Sequence, residues 1–327
     1  MEQSEATMAV ETSRRGRLYR SQHIFAGVTI TPIMLYMMFF TLVPMLWGIA
    51  ITFFRYSPTR VGGFLGFGEG NPFIGFQNYL DLFSNSPNGQ LFRLSVKNTL
   101  IFVLMYLPMN LLVTLPLAVL IESIAQRLKV VFRTIYFLPV VTSAVAVSLI
   151  WGVIYNPTFG LLNLALRSIG LQGYPWLSDT TTRVFGIPLP MICALITYLW
   201  SDMGYNLVIF IAGLQGIPEV YHEAAVVDGA NAWQRFWHIT VPLLRSTLTF
   251  VIVMTMLSSW QVFVIFFVLT GRGGPSNLTR VLVLHIYETA FRFQEMGLAA
   301  TVAMVLFVII MVTTLIQLRL MRKEWEY

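Results

Sequence analysis

Six long apolar segments follow one another along this chain of 327 residues, and they constrain its fold more than any other feature. Each is long enough for the roughly 20 residues that an α-helix needs to cross a bilayer. Charged residues make up only 11% of the chain, against about 25% in soluble domains. An all-α integral membrane protein with six transmembrane helices is therefore predicted. The predicted spans are Phe25–Phe53, Val96–Ile121, Arg133–Ile154, Ile187–Leu214, Leu243–Leu269 and Leu298–Leu318.

The basic residues indicate how these spans are oriented. Lys and Arg concentrate in the cytoplasmic segments of membrane proteins, so the net charge of +6 favours this explanation over a nucleic-acid partner. Six spans place both ends of the chain on one side, and 12 of the 21 Lys and Arg residues fall in the shorter segments of that side. We therefore expect cytoplasmic tails at residues 1–23 and 319–327, flanking a single membrane domain at residues 24–318.

The segment between the fourth and fifth spans, residues 217–242, does not have the composition of a simple connection. Pro218 suits the first turn of a helix, and Gly229 can take the left-handed conformation that follows one. Asn231, with Gln234 three residues later, forms a capping-box pattern that starts a second helix. The segment is therefore predicted to be a helix–turn–helix. The pattern alone leaves open whether it binds a protein or packs on lipid headgroups.

The same segment resembles the EAA loop of ABC importer permeases, whose form is E-A-A-x3-G-x9-I-x-L-P. Val241 stands in the place of the leucine and is the only departure from this form. The extended pattern, together with Gly273-Gly274-Pro275 after the fifth span, resembles the carbohydrate-uptake branch of maltose-type sugar permeases. The residues of the loop that carry the resemblance are Glu223, Ala224, Ala225, Asp228, Gly229, Ala230, Phe236, Ile239 and Pro242.

This resemblance implies a multi-pass permease of the bacterial or archaeal cytoplasmic membrane that translocates its substrate by alternating access. The loop at residues 217–242 would be the coupling helix that sits in a cleft of a cytoplasmic ATPase. Glu223 would pair with a basic residue there, and Gly229 would permit the turn. The implied partners are a second homologous permease, two cytoplasmic ATPase subunits, an extracytoplasmic solute-binding protein, a sugar substrate and the surrounding lipid bilayer.

No pattern typical of catalysis or cofactor binding is present in the sequence. A phosphate-binding loop of the form G-x-x-x-x-G-K-[S/T] needs a lysine after a glycine, and Lys97, Lys129 and Lys323 all follow other residues. The four histidines are scattered without metal-ligand spacing. We therefore expect a non-catalytic subunit that binds no metal or cofactor itself, with ATP and magnesium bound by the partner ATPase subunits.

Polar side chains inside two spans are the candidates for contact with a substrate. Ionisable residues are costly within a bilayer, so Asp202 in the fourth span is the clearest case. Carbohydrates need carboxylates or amides for their hydroxyl groups and aromatic faces for their C–H surfaces, and both spans offer these. Helix–helix hydrogen bonding is the alternative role, and it stays open. The candidates are Tyr198, Asp202, Tyr205, Asn206, Ser258, Trp260 and Gln261.

The substrate predicted from the spans is a neutral mono- or oligosaccharide, because no Lys or Arg lies well inside a span to meet an anion. An importer permease for another solute, such as glycerol phosphate, stays open as an alternative. A secondary transporter driven by an ion gradient would need intramembrane carboxylate relays, for which only Asp202 is available. An intramembrane enzyme would need a metal or nucleophile arrangement that the sequence lacks.

Overall fold

The structure is a computed structural model that describes residues 25–60, 66 and 68–321. The arginines that precede the first predicted span, and most of the predicted tails, lie outside these residues. The described residues are mainly helical, and five of their helical segments, one of them interrupted at residues 261–263, are long and apolar enough to cross a membrane. A bent pair of shorter helices supplies a sixth span when its two halves are counted together.

The first helix, α1 (Phe25–Ile51), is apolar on all sides and contains a π-helical stretch at Met38–Leu42. Every residue from Phe25 to Leu46 is exposed, and the later part of the helix packs on the last helix of the chain. A helix that is hydrophobic all round requires apolar surroundings on every side. The exposed surface of α1 is therefore suited to lipid or to another membrane subunit.

A short helix, α2 (Gln77–Phe83), leads into the longest helix, α3 (Pro87–Ser123). Ser86 caps α3, because its hydroxyl oxygen accepts a hydrogen bond from the backbone N–H of Gly89 at 3.1 Å. Pro87 occupies the first turn, where the missing N–H has no helical partner to lose. These signals place the start of α3 well before its apolar stretch.

The third predicted span is two helices rather than one. α4 (Gln126–Val141) and α5 (Ala144–Ile154) are bent by 101° with respect to each other. Thr142 and Ser143 between them have extended backbone, with ψ angles of 137° and 132°. The hydroxyl of Thr142 also bonds to the carbonyl four residues earlier, at 3.1 Å, and such side-chain bonds compete with helix continuation. The expectation of one continuous helix over Arg133–Ile154 is corrected accordingly.

The connection to the fourth span contains a helix and a small hairpin. α6 (Leu161–Ser168) is followed by the antiparallel pair β1 (Arg183–Val184) and β2 (Ile187–Pro188). Phe185 and Gly186 form the two-residue turn, with φ angles of 52° and 80°. Positive φ at both central residues is what a type I′ hairpin turn requires.

The second half of the chain completes the bundle. The fifth span consists of two helices with a break at residues 261–263, and a π-helical turn at Glu288–Arg292 precedes the last helix. The helices are α7 (Leu189–Gln215), α8 (Val220–Val227), α9 (Ala232–Arg235), α10 (Arg245–Trp260), α11 (Val264–Val268), α12 (Leu282–Tyr287) and α13 (Met296–Met321). A π-turn at Phe236–Thr240 and a short turn at Val241–Leu243 join α9 to α10.

Helix α7 lies at the centre of the bundle, where it packs against α3, α4 and α10. Gly204 allows α7 and α4 to approach closely, because a Cβ atom at this position would lie 2.2 Å from the carbonyl oxygen of Tyr136. Small residues at helix crossings are the usual means of close packing inside a membrane. Helix α7 is therefore held by packing on three sides, and the segment that follows it begins at the end of a firmly packed helix.

Candidate functional site

The segment at residues 217–242, called the protruding loop below, leaves α7 and returns to α10 as two short helices joined by a turn. Helix α8 ends in a Schellman motif in which Gly229 takes a φ of 78°. The N–H of Gly229 donates to the carbonyl of Val226 at 3.0 Å, and that of Ala230 donates to Ala225 at 2.8 Å. Glycine avoids the steric penalty that a side chain meets at this φ, so the residue type determines the turn.

Helix α9 begins with reciprocal hydrogen bonds. The side-chain oxygen of Asn231 accepts from the backbone N–H of Gln234 at 2.9 Å, and the side-chain oxygen of Gln234 accepts from that of Asn231 at the same distance. This arrangement is the capping box expected from the sequence. The angle between α8 and α9 is thus held by backbone and side-chain bonds on both sides of the turn.

The nine residues predicted for this loop divide into two groups. The exposed residues are Glu223, Ala224, Asp228, Gly229 and Pro242. The half-buried residues are Ala225, Ala230, Phe236 and Ile239. Phe236 packs against the buried cluster that contains Phe210 and Leu244, so it anchors the loop to the bundle. The exposed group faces away from the chain and is available to another molecule.

Exposed apolar side chains surround the first group. Val227 is 87% exposed, Trp233 69% and Trp237 48%, and the rings of the two tryptophans lie 5.6 Å apart between centroids. Neither tryptophan is among the residues predicted from the sequence, although their spacing of four residues places them on one helical face. Large exposed aromatic side chains next to charged residues are typical of a protein-binding surface.

Glu122 ties three helices together at the base of the protruding loop. Its carboxylate, near the end of α3, accepts from Lys129 at 3.0 Å and also from Arg133, both on α4. The side-chain amide of Gln215, the last residue of α7, donates to the same carboxylate at 3.4 Å. The residue that enters the loop is therefore joined to the ends of two other helices.

A polar network crosses the interior of the bundle between α3, α7 and α10. The hydroxyl of Tyr106 donates to the carboxylate of Asp202, and the amide of Asn110 donates to that hydroxyl at 3.0 Å. The amide of Asn206 donates to Asn110 at 2.8 Å and to Thr255 at 3.0 Å. Asn206 is 2% exposed, so its bonds hold three helices together in a place without solvent.

The structure places the other predicted substrate residues in different surroundings. Tyr198 packs its ring 4.7 Å from that of Tyr106, beside the network. Tyr205 is exposed, and Trp260 is buried in an apolar cluster. Gln261 is exposed at the break in the fifth span, whereas the hydroxyl of Ser258 bonds to the backbone one turn earlier. Ser258 also interacts with the side chain of Tyr198. The structure therefore brings Tyr198, Asp202, Asn206 and Ser258 together but leaves Tyr205 and Trp260 apart.

Two substitutions of Asp202 separate hydrogen bonding from charge. Asp202→Asn keeps an acceptor for Tyr106, so we expect the free energy of unfolding to change little. Asp202→Leu leaves that hydroxyl without its acceptor in an apolar interior, and we expect a loss of about 1–2 kcal/mol. Reversible unfolding in mixed micelles measures both. Equal destabilisation by the two variants would contradict a role in hydrogen bonding.

His285 is a buried histidine whose hydrogen-bond partner is an arginine. It is 1% exposed, and its Nδ1 atom lies 3.1 Å from a guanidinium nitrogen of Arg280, which donates to it. Burial, together with the neighbouring positive charge, lowers the pKa of His285 to about 4, so the ring is neutral near pH 7. Within residues 25–60, 66 and 68–321 no group of three or more His, Cys, Asp or Glu side chains could hold a metal ion.

Known proteins are similar to this chain in sequence, and solved structures are similar to it in fold. The lactose transport system permease protein of Rhizobium radiobacter is 31% identical over 310 residues, covering 94% of this chain and 97% of that protein. The sn-glycerol-3-phosphate transport system permease protein of Agrobacterium fabrum is 31% identical over 265 residues, covering 80% and 85%.

A solved bacterial ABC transporter, involved in the import of the acidic polysaccharide alginate, has the same fold. Its matching chain superposes with a TM-score of 0.78 at 21% identity, over 95% of this chain and all of that one. The family model described as "Binding-protein-dependent transport system inner membrane component" matches residues 115–325, which include the protruding loop and Asp202. By family model and by relatives of similar length, this chain belongs to the binding-protein-dependent transport system inner membrane components.

Proposed function

We propose that this chain is one of two permease subunits of an ATP-driven importer that takes up a saccharide by alternating access. The observation that carries the proposal is the protruding loop, with its exposed Glu223, Ala224 and Asp228 beside exposed apolar side chains. Such a surface on a rigid turn suits a protein partner better than lipid headgroups, because its angle is fixed by Gly229 and by the capping box. The assignment as an importer is supported by membership of the binding-protein-dependent transport family.

The partner at this surface would be a cytoplasmic ATPase subunit. Two such subunits would bind ATP and magnesium, so this chain would carry no catalytic group and no cofactor of its own. Their closure would push the protruding loop, and the contacts of Gln215 with Glu122 would pass the movement to α3 and α4. The anchor at Phe236 would pass it to α10. The helices would then open the pathway towards the other side.

This assignment also orients the chain in the membrane. The protruding loop would lie in the cytoplasm of a bacterial or archaeal cell, and with six spans both tails would lie there as well. A solute-binding protein would deliver the substrate at the opposite end, and a second, homologous permease would complete the pathway. The family description supports the delivery protein and the membrane location in general terms.

A saccharide is the proposed substrate because the chain offers both partners that sugars need. Asp202 with Tyr198 provides a carboxylate beside an aromatic ring, and Gln261 lies exposed at the break in the fifth span. The lactose permease relative supports the same class. Glycerol phosphate is the second candidate, since the glycerol-3-phosphate permease relative has the same identity of 31%.

Thermal-shift screening of the solute-binding protein from the same system tests the substrate class. The panel contains neutral saccharides, uronic acids, glycerol 3-phosphate, amino acids and peptides. We expect a saccharide to raise the melting temperature, since a ligand present at 100 times its Kd stabilises by about 2.7 kcal/mol. Stabilisation by amino acids or peptides alone would contradict the proposal. Stabilisation by glycerol 3-phosphate alone would select the second candidate.

A further inference from the structure

A cavity of about 250 Å³ lies at the end of the bundle opposite the protruding loop, beyond the ends of α11 and α12. We call it the arginine–aromatic pocket. Sites for drug-sized ligands have volumes of about 300–1,000 Å³, so this cavity is of a size for a single sugar unit or its acidic group. It is lined by Arg272, Tyr287, Glu288, Phe291 and Arg292.

The charges around the pocket do not balance. Glu288 has a side chain only 3% exposed, and its carboxylate accepts from the buried Arg280 and, at 3.4 Å, from Arg292. Arg272 is a third guanidinium, so one carboxylate faces three positive charges and leaves a net charge of +2. The side chain of Arg292 is 59% exposed and Arg272 is exposed too, so both can reach a ligand. Planar guanidinium groups bind carboxylates and phosphates with two parallel hydrogen bonds.

The loop before the pocket holds Arg272 in a specific place. Arg272 has a φ of 65°, and a residue with a side chain pays about 1–2 kcal/mol for this left-handed conformation. Its guanidinium carbon lies 5.6 Å from the ring centroid of Phe267, within the range of a cation–π contact. Its backbone N–H donates to the carbonyl of Phe267 at 3.1 Å. The arginine is therefore positioned by its backbone and by an aromatic face.

Aromatic rings connect the pocket to the break in the fifth span. The ring centroids of Phe263 and Phe267 lie 5.3 Å apart, and Tyr287 lies 5.1 Å from Phe263. Phe291 continues the row at 5.1 Å from Tyr287. Phe263 is two residues from the exposed Gln261. A row of rings next to an amide offers C–H contact and hydrogen bonding to a pyranose, while the arginines offer a partner for an acid.

We propose that the arginine–aromatic pocket binds the acidic group of an anionic saccharide, a uronate or a sugar phosphate, at the outer mouth of the pathway. This inference rests on the proposed saccharide uptake and narrows its substrate class. The expectation of a neutral sugar is based on the absence of Lys and Arg well inside the spans. Arg272 and Arg292 lie outside them, between the end of the fifth span and the start of the sixth.

Binding of three matched sugars to the full chain in lipid nanodiscs tests this inference. Glucose, glucuronate and glucose 6-phosphate differ only at C6, and saturation-transfer NMR with titration gives a Kd for each. We expect at least one of the two acids to bind about tenfold more tightly than glucose, since a hydrogen bond to a charged group contributes about 1.5–3 kcal/mol. The acid that binds more tightly identifies the acidic group.

Single substitutions locate the binding. Arg272→Gln and Arg292→Gln should each weaken binding of the acid about tenfold and leave binding of glucose unchanged. Arg183→Gln, at an exposed arginine on β1, removes the same charge elsewhere and should change neither affinity. The melting temperature of each variant shows that it is folded.

Three results would overturn the inference. They are equal affinity for glucose and both acids, no effect of either pocket arginine, and inorganic phosphate binding as tightly as glucose 6-phosphate. None of these would touch the saccharide assignment, which the screen of the solute-binding protein tests separately. Stabilisation of that protein by neutral sugars only, together with failure of the acids here, would reject this inference and keep the proposed function.

Discussion

Gly229→Asp is expected to reduce substrate uptake at least tenfold while the protein stays in the membrane at its normal level. A Cβ atom at Gly229 would meet nothing within 4 Å, so the substitution creates no clash inside the chain. The φ of 78° costs a residue with a side chain about 1–2 kcal/mol, which changes the angle between α8 and α9. A new carboxylate would also enter the exposed surface beside Glu223. Uptake of labelled substrate, normalised to membrane protein, measures the effect.

Gly170→Asp is the matched control. Gly170 has a φ of 81° and also has nothing within 4 Å of an added Cβ, but it follows α6, far along the chain from the protruding loop. The backbone strain and the added charge are therefore the same, and we expect uptake to stay within about twofold of the wild type. Normal uptake by Gly229→Asp at equal expression would mean that the loop does not couple to a partner through this turn.

Gly204→Ala is expected to destabilise the chain strongly, although it adds a single methyl group. The new Cβ would lie 2.2 Å from the carbonyl oxygen of Tyr136 and 2.9 Å from a methyl carbon of Val140. The first neighbour is backbone and cannot rotate away, so α4 and α7 must separate. Overpacking in a well-packed interior costs about 1–3 kcal/mol, and we expect a loss at the upper end of this range. Thermal unfolding of the purified protein in detergent measures it.

Gly48→Ala is the control for this substitution. Gly48 also lies inside a membrane helix, α1, but an added Cβ there has nothing within 4 Å. Alanine favours a helix over glycine by about 1 kcal/mol, so the melting temperature should stay the same or rise. A similar fall for both variants would show that loss of glycine flexibility, rather than the contact with Tyr136, determines the result.

The fold was predictable where the membrane itself determines the structure. The expected span Ile187–Leu214 and the observed α7 differ by one or two residues at each end, because length and apolar composition are sufficient to define a membrane helix. Helix α3 extends beyond Val96–Ile121 at both ends, since its cap at Ser86 lies among polar residues that composition does not assign to the membrane. The sharp bend at Thr142 depends on two extended residues in an apolar run, which hydropathy does not detect.

In the candidate site, features that depend on residues close together in sequence were predictable, whereas contacts between residues far apart in sequence were not. Gly229, Asn231 and Gln234 act within a few residues of each other, so their turn and cap could be read from the sequence. Asp202 stands out as a charge in a span, but its partner Tyr106 is 96 residues away, and only the packing of α3 on α7 identifies it. The aromatic row likewise combines Phe263, in the break of the fifth span, with Tyr287 of α12.

The exposed surface of α1 has a consequence for how the chain is assembled. The 22 residues from Phe25 to Leu46, about 33 Å of helix, are all exposed in the described part of the chain. Within the described chain, only the later part of α1, which packs on the last helix, constrains the tilt and rotation of this stretch. The thickness of the surrounding bilayer and the neighbouring subunits supply the remaining constraints, so α1 can take one angle in a free chain and another within a complex.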